Sequence, residues 1–201
     1  VVVLSTADFA SEVWTNKQHL AVGLSAHVDV VYVESLGLRS PRPNAADVRR
    51  IVSRLRRKGV RREAKPESPP AVSVVSPTVI PFHRFRAVRA LNRKIVARSL
   101  VRYLEPADSV LWTFSPLTYG LESHAGSVVY HSVDLLHTFP GVPASTLLAA
   151  ERGLLAVANE VIASSAGVRE HIRMSGRSDV RLWENVAHTE LFASVQAERL
   201  E

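Results

Sequence analysis

His131 and Asp134 stand three residues apart, just past the candidate strand 127–130. An imidazole and a carboxylate are the groups that general-base chemistry draws on, once they lie within hydrogen-bond reach of the proton to be moved. A second concentration of polar and aromatic groups, Asp8, Glu12, Trp14, Asn16 and Gln18, lies in or just past the loop after the first candidate strand. Ser115 follows a further strand, and Glu184 and Asn185 follow the last. Each has a plain structural use as well. Asp134 suits a turn, Ser115 a helix cap, Trp14 the core, and His131 a strand end with satisfied nitrogens.

Several chemistries are excluded. The 201 residues contain no cysteine, so a thiol nucleophile, a thiolate metal site and a disulfide are absent; this fits a reducing, cytoplasmic setting. The first βα loop reads Ser5-Thr6-Ala7-Asp8-Phe9-Ala10. It lacks the glycines that let a backbone approach a pyrophosphate, which argues against a nicotinamide or flavin enzyme. Neither the phosphate-loop pattern nor the G-x-S-x-G nucleophile turn occurs. The eight histidines are scattered and none has metal-ligand spacing, so no metal is expected.

The net charge is +6 and it is unevenly spread. Residues 49–102 hold 16 of the 25 Lys and Arg and two of the 19 acids, a local +14 against −8 elsewhere. That asymmetry suits an anionic partner on one face. With few interleaved aromatics and no recognised RNA or DNA module, nucleic acid is disfavoured. A solvated basic face, or attachment to an anionic membrane surface through 49–102, remains. No apolar run reaches the ~20 residues of a membrane span, and the opening Val1-Val2-Val3-Leu4 is too short for a signal-peptide core and lacks its basic flank. The chain begins without Met and ends on Leu200-Glu201, which predicts a segment cut from a longer protein at both ends.

The elements that must position these residues are short. Strands are expected at 1–4, 28–34, 71–76, 108–114, 127–130, 160–163 and 179–182. Helices are expected at 12–26, 47–58, 84–104, 116–123, 143–158 and 166–175, the third with Phe85, Val88, Leu91 and Ile95 as its apolar side. Residues 63–70 read as a Pro-rich loop. Strands alternating with helices predict an α/β fold, a single doubly wound, Rossmann-like and mostly parallel sheet. Such sheets bind ligands beyond the carboxyl ends of their strands, where the residues named above fall.

Four segments occur in order: Glu12-Val13-Trp14-Thr15-Asn16-Lys17-Gln18-His19-Leu20-Ala21, the stretch from Val129 through Tyr130-His131-Ser132-Val133-Asp134 to Gly141, Glu160-Val161-Ile162-Ala163-Ser164-Ser165, and Leu182-Trp183-Glu184-Asn185-Val186-Ala187-His188-Thr189-Glu190-Leu191-Phe192. Together they resemble the N-terminal, acceptor-binding domain of bacterial glycosyltransferases of the GT-B fold, the kind acting on cell-surface polysaccharides and teichuronic-acid-like polymers. Asn185 and Phe192 match the family's hinge, while Val186, Ala187 and His188 stand where it has Gly, Val and Asp.

The resemblance implies that residues 1–186 bind the acceptor and 187–201 begin the interdomain linker. It implies a nucleotide-sugar donor held by a missing C-terminal domain, no bound metal or cofactor in this chain, and no transfer by the chain alone. Asp134 and His131 become the catalytic pair. Asp8, Glu12, Trp14, Asn16, Gln18 and Ser115 become acceptor contacts, with Trp14 stacking on a sugar ring, and Glu184 and Asn185 become hinge residues. The acceptor would be a sugar or lipid-linked, which suits an enzyme peripheral to the inner face of the membrane. Two other readings stay open: a non-enzymatic basic α/β module that docks on anionic membranes or polyanions, and half of a GT-B fold sugar epimerase.

Overall fold

A three-residue strand, Val2–Leu4 (β1), sits at the centre of the sheet with side chains 0–1% exposed. A parallel strand covered on both faces has no solvent side, so it reads as an unbroken apolar run. The computed structural model describes residues 1–37, 62–63, 72–80 and 82–185. Among them the other strands are Val30–Val33 (β2), Arg62–Glu63 (β3), Val72–Val75 (β4), Val110–Thr113 (β5), Ser127–Ser132 (β6), Glu160–Ala163 (β7) and Arg181–Leu182 (β8). They form one sheet in the order β3-β4-β2-β1-β5-β6-β7-β8. Every neighbouring pair is parallel except β3–β4, where Arg62–Glu63 pairs antiparallel with Ser73 and Val74. The doubly wound, Rossmann-like α/β expectation holds. The antiparallel edge pairing lies at the start of the stretch expected to be loop.

Four α-helices are described: Asn16–Ser25 (α1), Arg86–Leu100 (α2), Ala144–Val157 (α3) and Ala166–Met174 (α4). α1 packs on one face of the sheet, with Ala21, Leu20 and Leu24 against Val3, Tyr32, Val72 and Phe114. The other three pack on the opposite face. Val96 and Leu100 of α2 meet Val2, Leu4, Val33 and Leu111, while α3 and α4 bring Leu154, Leu155, Val168 and Ile172 to Val128, Tyr130 and Val161. Because side chains alternate along a strand, Val3 serves one core and its neighbours Val2 and Leu4 the other.

Several expectations are corrected. α1 starts at Asn16 rather than residue 12, because Gln18 turns back to bind the Thr15 backbone N–H (3.0 Å) and fixes the helix start there. The helix expected over 116–123 is a single 3-10 turn, Leu121–His124, since Gly120 adopts a left-handed φ of 89°. The packing face of α2 is Asn92, Val96 and Leu100, at a spacing of four, and Phe85 and Leu91 are exposed. Asn92 is buried because it copies a backbone partner: its amide accepts from Ile80 N–H and donates to Ile80 C=O, both at 2.8 Å. β6 runs two residues further than expected and takes in His131 and Ser132. The helix expected at 47–58 and the linker at 187–201 lie outside the described residues. No helix among the described residues is long and apolar enough to cross a membrane.

Two glycines separate packing from propensity. A Cβ on Gly126, just before β6, would lie 2.6 Å from the Pro106 carbonyl oxygen, whereas one on the exposed Gly153 of α3 meets nothing within 4 Å. Gly126→Ala is expected to destabilise by about 1–3 kcal/mol, and Gly153→Ala to stabilise by about 0.5–1 kcal/mol through helix propensity. Urea unfolding of the two variants measures both.

Candidate functional site

The chain runs outward from β1 through β2 to β4, then returns to the other side of β1 with β5 and runs outward again through β6, β7 and β8. The reversal lies between β1 and β5. Loops leaving the two strands diverge there, and the crevice beyond their carboxyl ends is the usual ligand site of an open parallel sheet. The loop after β1 is braced from below. The Ser5 hydroxyl lies 2.6 Å from the Tyr32 hydroxyl, and Tyr32 in turn donates to Ala7 C=O at 3.0 Å. Burial pushes the Tyr32 phenol up to about 12, with the Glu34 and Asp8 charges adding to the rise, so it stays a neutral donor. Glu34 accepts from Phe9 N–H at 3.0 Å, and its other oxygen takes the Ser76 hydroxyl, joining the ends of β1, β2 and β4.

At the crevice itself stands Lys17, in the first turn of α1. It is 6% exposed, its ammonium lies 5.7 Å from the centre of the Phe114 ring, and Asp134 is 4.0 Å away. Burial lowers the pKa of Lys17, and the Asp134 charge opposes that shift. A cation at a helix N-terminus also works against the helix dipole. The Asp134 side chain is 47% exposed. An ammonium held under an open carboxylate gives one hydrogen-bond donor and one proton acceptor at the same corner.

His131 lies inside β6 and is 5% exposed. Trp183 stacks on its ring with centroids 5.7 Å apart and planes 11° from parallel, and Phe114 lies 4.9 Å away. Neither ring nitrogen has a hydrogen-bond partner. Burial, helped by the Lys17 charge, drops its pKa to about 4, so it is neutral at pH 7. His131 and Asp134 therefore differ in access: the carboxylate is open and the imidazole is roofed by Trp183.

The remaining expected residues divide. Trp14 is 41% exposed, held at its edges by Phe9 (5.6 Å) and His19 (5.4 Å) with ring surface left over. Asn16 donates to the Asn185 side chain at 3.0 Å, tying the start of α1 to the chain past β8. Glu184 is exposed beside it, as is Glu12 in the bend before α1. Asp8 is half-buried, and its carbonyl accepts from Ser11 and Gln18. Gln18 is fully buried with both amide atoms bonded to the loop, to Thr15 and to Asp8. Ser115 is 4% exposed, and its hydroxyl caps Leu117 N–H at 3.1 Å. Gln18 and Ser115 thus hold the backbone that shapes the crevice.

Lys17, Glu34 and Trp183 join the site beside the expected residues. A lysine in the first turn of a helix, against the dipole, was the available signal for Lys17. Glu34 carries the signal of a position at the carboxyl end of a strand, and nothing local marks Trp183. On the opposite face of β6, His137, Glu151 and His171 place their ligand atoms within 4.8 Å of one another, a grouping that no sequence spacing announces.

The His131 shift fixes a pH dependence. Its folded pKa lies below the ordinary 6.5, so the unfolded state binds more protons, and stability present above pH 6.5 is lost as pH falls toward 4. The full shift corresponds to about 3 kcal/mol. His131→Phe, which keeps a ring and removes the titration, is expected to lose about 2–3 kcal/mol less than the wild type between pH 7 and pH 4. Urea unfolding at the two pH values tests this.

No protein-family model matches the chain, and no curated sequence is significantly similar to it. Among solved structures, a sucrose-phosphate synthase chain from Thermosynechococcus elongatus aligns with a TM-score of 0.55 at 16% identity, over 100% of this chain and 96% of that one. What the two share is the fold, a Rossmann-like α/β sheet.

Proposed function

We propose that the chain is the acceptor-binding domain of a GT-B glycosyltransferase, which moves a sugar from a nucleotide sugar to an acceptor hydroxyl in envelope polysaccharide or glycolipid synthesis. The observation that carries this reading is the open Asp134 carboxylate beside the buried Lys17 ammonium, 4.0 Å apart at the carboxyl edge of the sheet. The segment resemblance supports it, as does a fold shared with a chain described as a sucrose-phosphate synthase. On this reading Asp134 takes the proton of the acceptor hydroxyl as that oxygen attacks the anomeric carbon. Lys17 fixes the carboxylate in place. The half-exposed rings of Trp14 and Trp183 stack on sugar faces, and neutral His131 backs Trp183. A second domain holds the nucleotide sugar and receives the departing nucleoside diphosphate.

Saturation-transfer NMR with glucose, galactose, N-acetylglucosamine and, separately, UDP tests the assignment. At least one sugar is expected to bind, with affinity about tenfold lower in Trp14→Ala, equal to ~1.4 kcal/mol. UDP is expected to give no signal. Binding of UDP without any sugar would overturn the acceptor role.

A specific surface favours a second reading, docking of this basic module on an anionic membrane. Phe82, Phe85 and Leu91 are exposed on and just before α2, among exposed Arg84, Arg86, Lys94 and Arg98. Apolar side chains amid cations suit an interfacial helix, and each cation near an anionic surface contributes about 1 kcal/mol. Co-sedimentation with phosphatidylglycerol vesicles that is lost in high salt, and absent with phosphatidylcholine, is the expected result. No sedimentation with either lipid would remove this reading.

A further inference from the structure

Consecutive residues of β6 face opposite sides of the sheet. His131 lies on the α1 side, while Tyr130 lies on the side of α3 and α4. The Tyr130 hydroxyl donates to Glu151 Oε1 of α3 at 2.7 Å, and the other oxygen, Oε2, lies 2.7 Å from His171 Nε2 of α4. His137, from the 3-10 turn Leu136–Thr138, stacks on His171 with ring centroids 4.7 Å apart and planes 27° from parallel. Glu151 is 6% exposed, and both histidines are half-buried. One ligand atom from each of the three lies within 4.8 Å of the other two. A cavity of about 10 Å³ lined by Pro116, Tyr130, Leu136, His137, Leu147 and Glu151 adjoins them, about the space of one water.

We propose that His137, Glu151 and His171 bind one divalent transition-metal ion, with zinc the best fit. Two imidazoles and a carboxylate are ligands that zinc accepts at about 2.0–2.2 Å, leaving a fourth tetrahedral position, and the adjoining cavity offers that position to a water. Ligands at that range sit about 3.3 Å apart around a tetrahedral ion. The Glu151–His171 pair therefore opens slightly and His137 moves inward by a side-chain rotation. Tyr130 supplies the outer contact: its hydroxyl holds Oε1 and leaves Oε2 for the metal. The ion takes the place of the hydrogen bond between His171 Nε2 and Glu151 Oε2, with His171 neutral and its one proton on Nδ1. The simpler role for these groups is a hydrogen-bonded staple between α3 and α4. His137 distinguishes the two, because it stacks on His171 and hydrogen-bonds to neither member of the pair. This site lies across the sheet from the Lys17–Asp134 crevice and stands or falls independently of the glycosyltransferase reading.

The test uses the full chain after treatment with a chelator. Calorimetry with Zn²⁺ is expected to show one site, and Co²⁺ to give the intense visible bands of a tetrahedral complex. His137→Ala and His171→Ala are each expected to lower affinity by at least about 100-fold, and Tyr130→Phe by about 10–100-fold. Metal-free His137→Ala is expected to melt close to the metal-free wild type, which separates a lost ligand from a lost fold. No binding by the wild type, or binding that His137→Ala leaves unchanged, would overturn the site.

Discussion

The parallel pairing of β1 with both β2 and β5 is the constraint on which the rest depends. Val2, Val3 and Leu4 align with Val31, Tyr32 and Val33 on one side and with Leu111, Trp112 and Thr113 on the other. Backbone bonds extend the seam past the strand itself, from Ser5 N–H to Val33 C=O and from Phe114 N–H to Leu4 C=O, each at 2.9 Å. A slip of one residue would move Val3 from the α1 core to the α2 core and turn Val2 and Leu4 the other way, so burial on both faces pins the register. The same seam ends the strands together at the point where the chain reverses direction across the sheet. Ser5 and Phe114 therefore open the crevice as a direct result of strand pairing.

That crevice is built against its own electrostatic preference. The Lys17 ammonium is buried, stands at the positive end of α1, and would be more comfortable in water. It is retained by Asp134 and by the face of Phe114. His131 next to it takes the opposite course and stays neutral, because a second buried cation close to Lys17 would have no partner. On the proposed reading, this corner of one fixed cation, one open carboxylate and a roof of aromatic rings is where a hydroxylated acceptor would sit.

The pleat of β6 separates two sets of chemistry by one residue. Tyr130 ties the carboxylate of Glu151 into the interface between α3 and α4, and His131 looks into the aromatic layer beneath Trp183. The loop after the strand then sends Asp134 to one side and His137 to the other. A short segment near the middle of the chain thus feeds both faces, which a linear reading of the residues from 129 to 141 compresses into one motif.

The sequence by itself determined the layered α/β fold and the seven parallel strands, because β-branched runs and their alternation with helices are local properties. It named Asp134 and Trp14 as candidates and left each with a structural alternative, and the fold leaves both with exposed surface. Three-dimensional packing decided the rest. Gln18 was committed to the Thr15 backbone by a helix start four residues later than periodicity implied. His131 was enclosed because β6 ran two residues longer and Trp183, 52 positions on in the chain, folded over it. His137, Glu151 and His171 met only because a turn and two helices pack against one face of β6. Contacts of that kind depend on which strand neighbours which, and no local spacing encodes them.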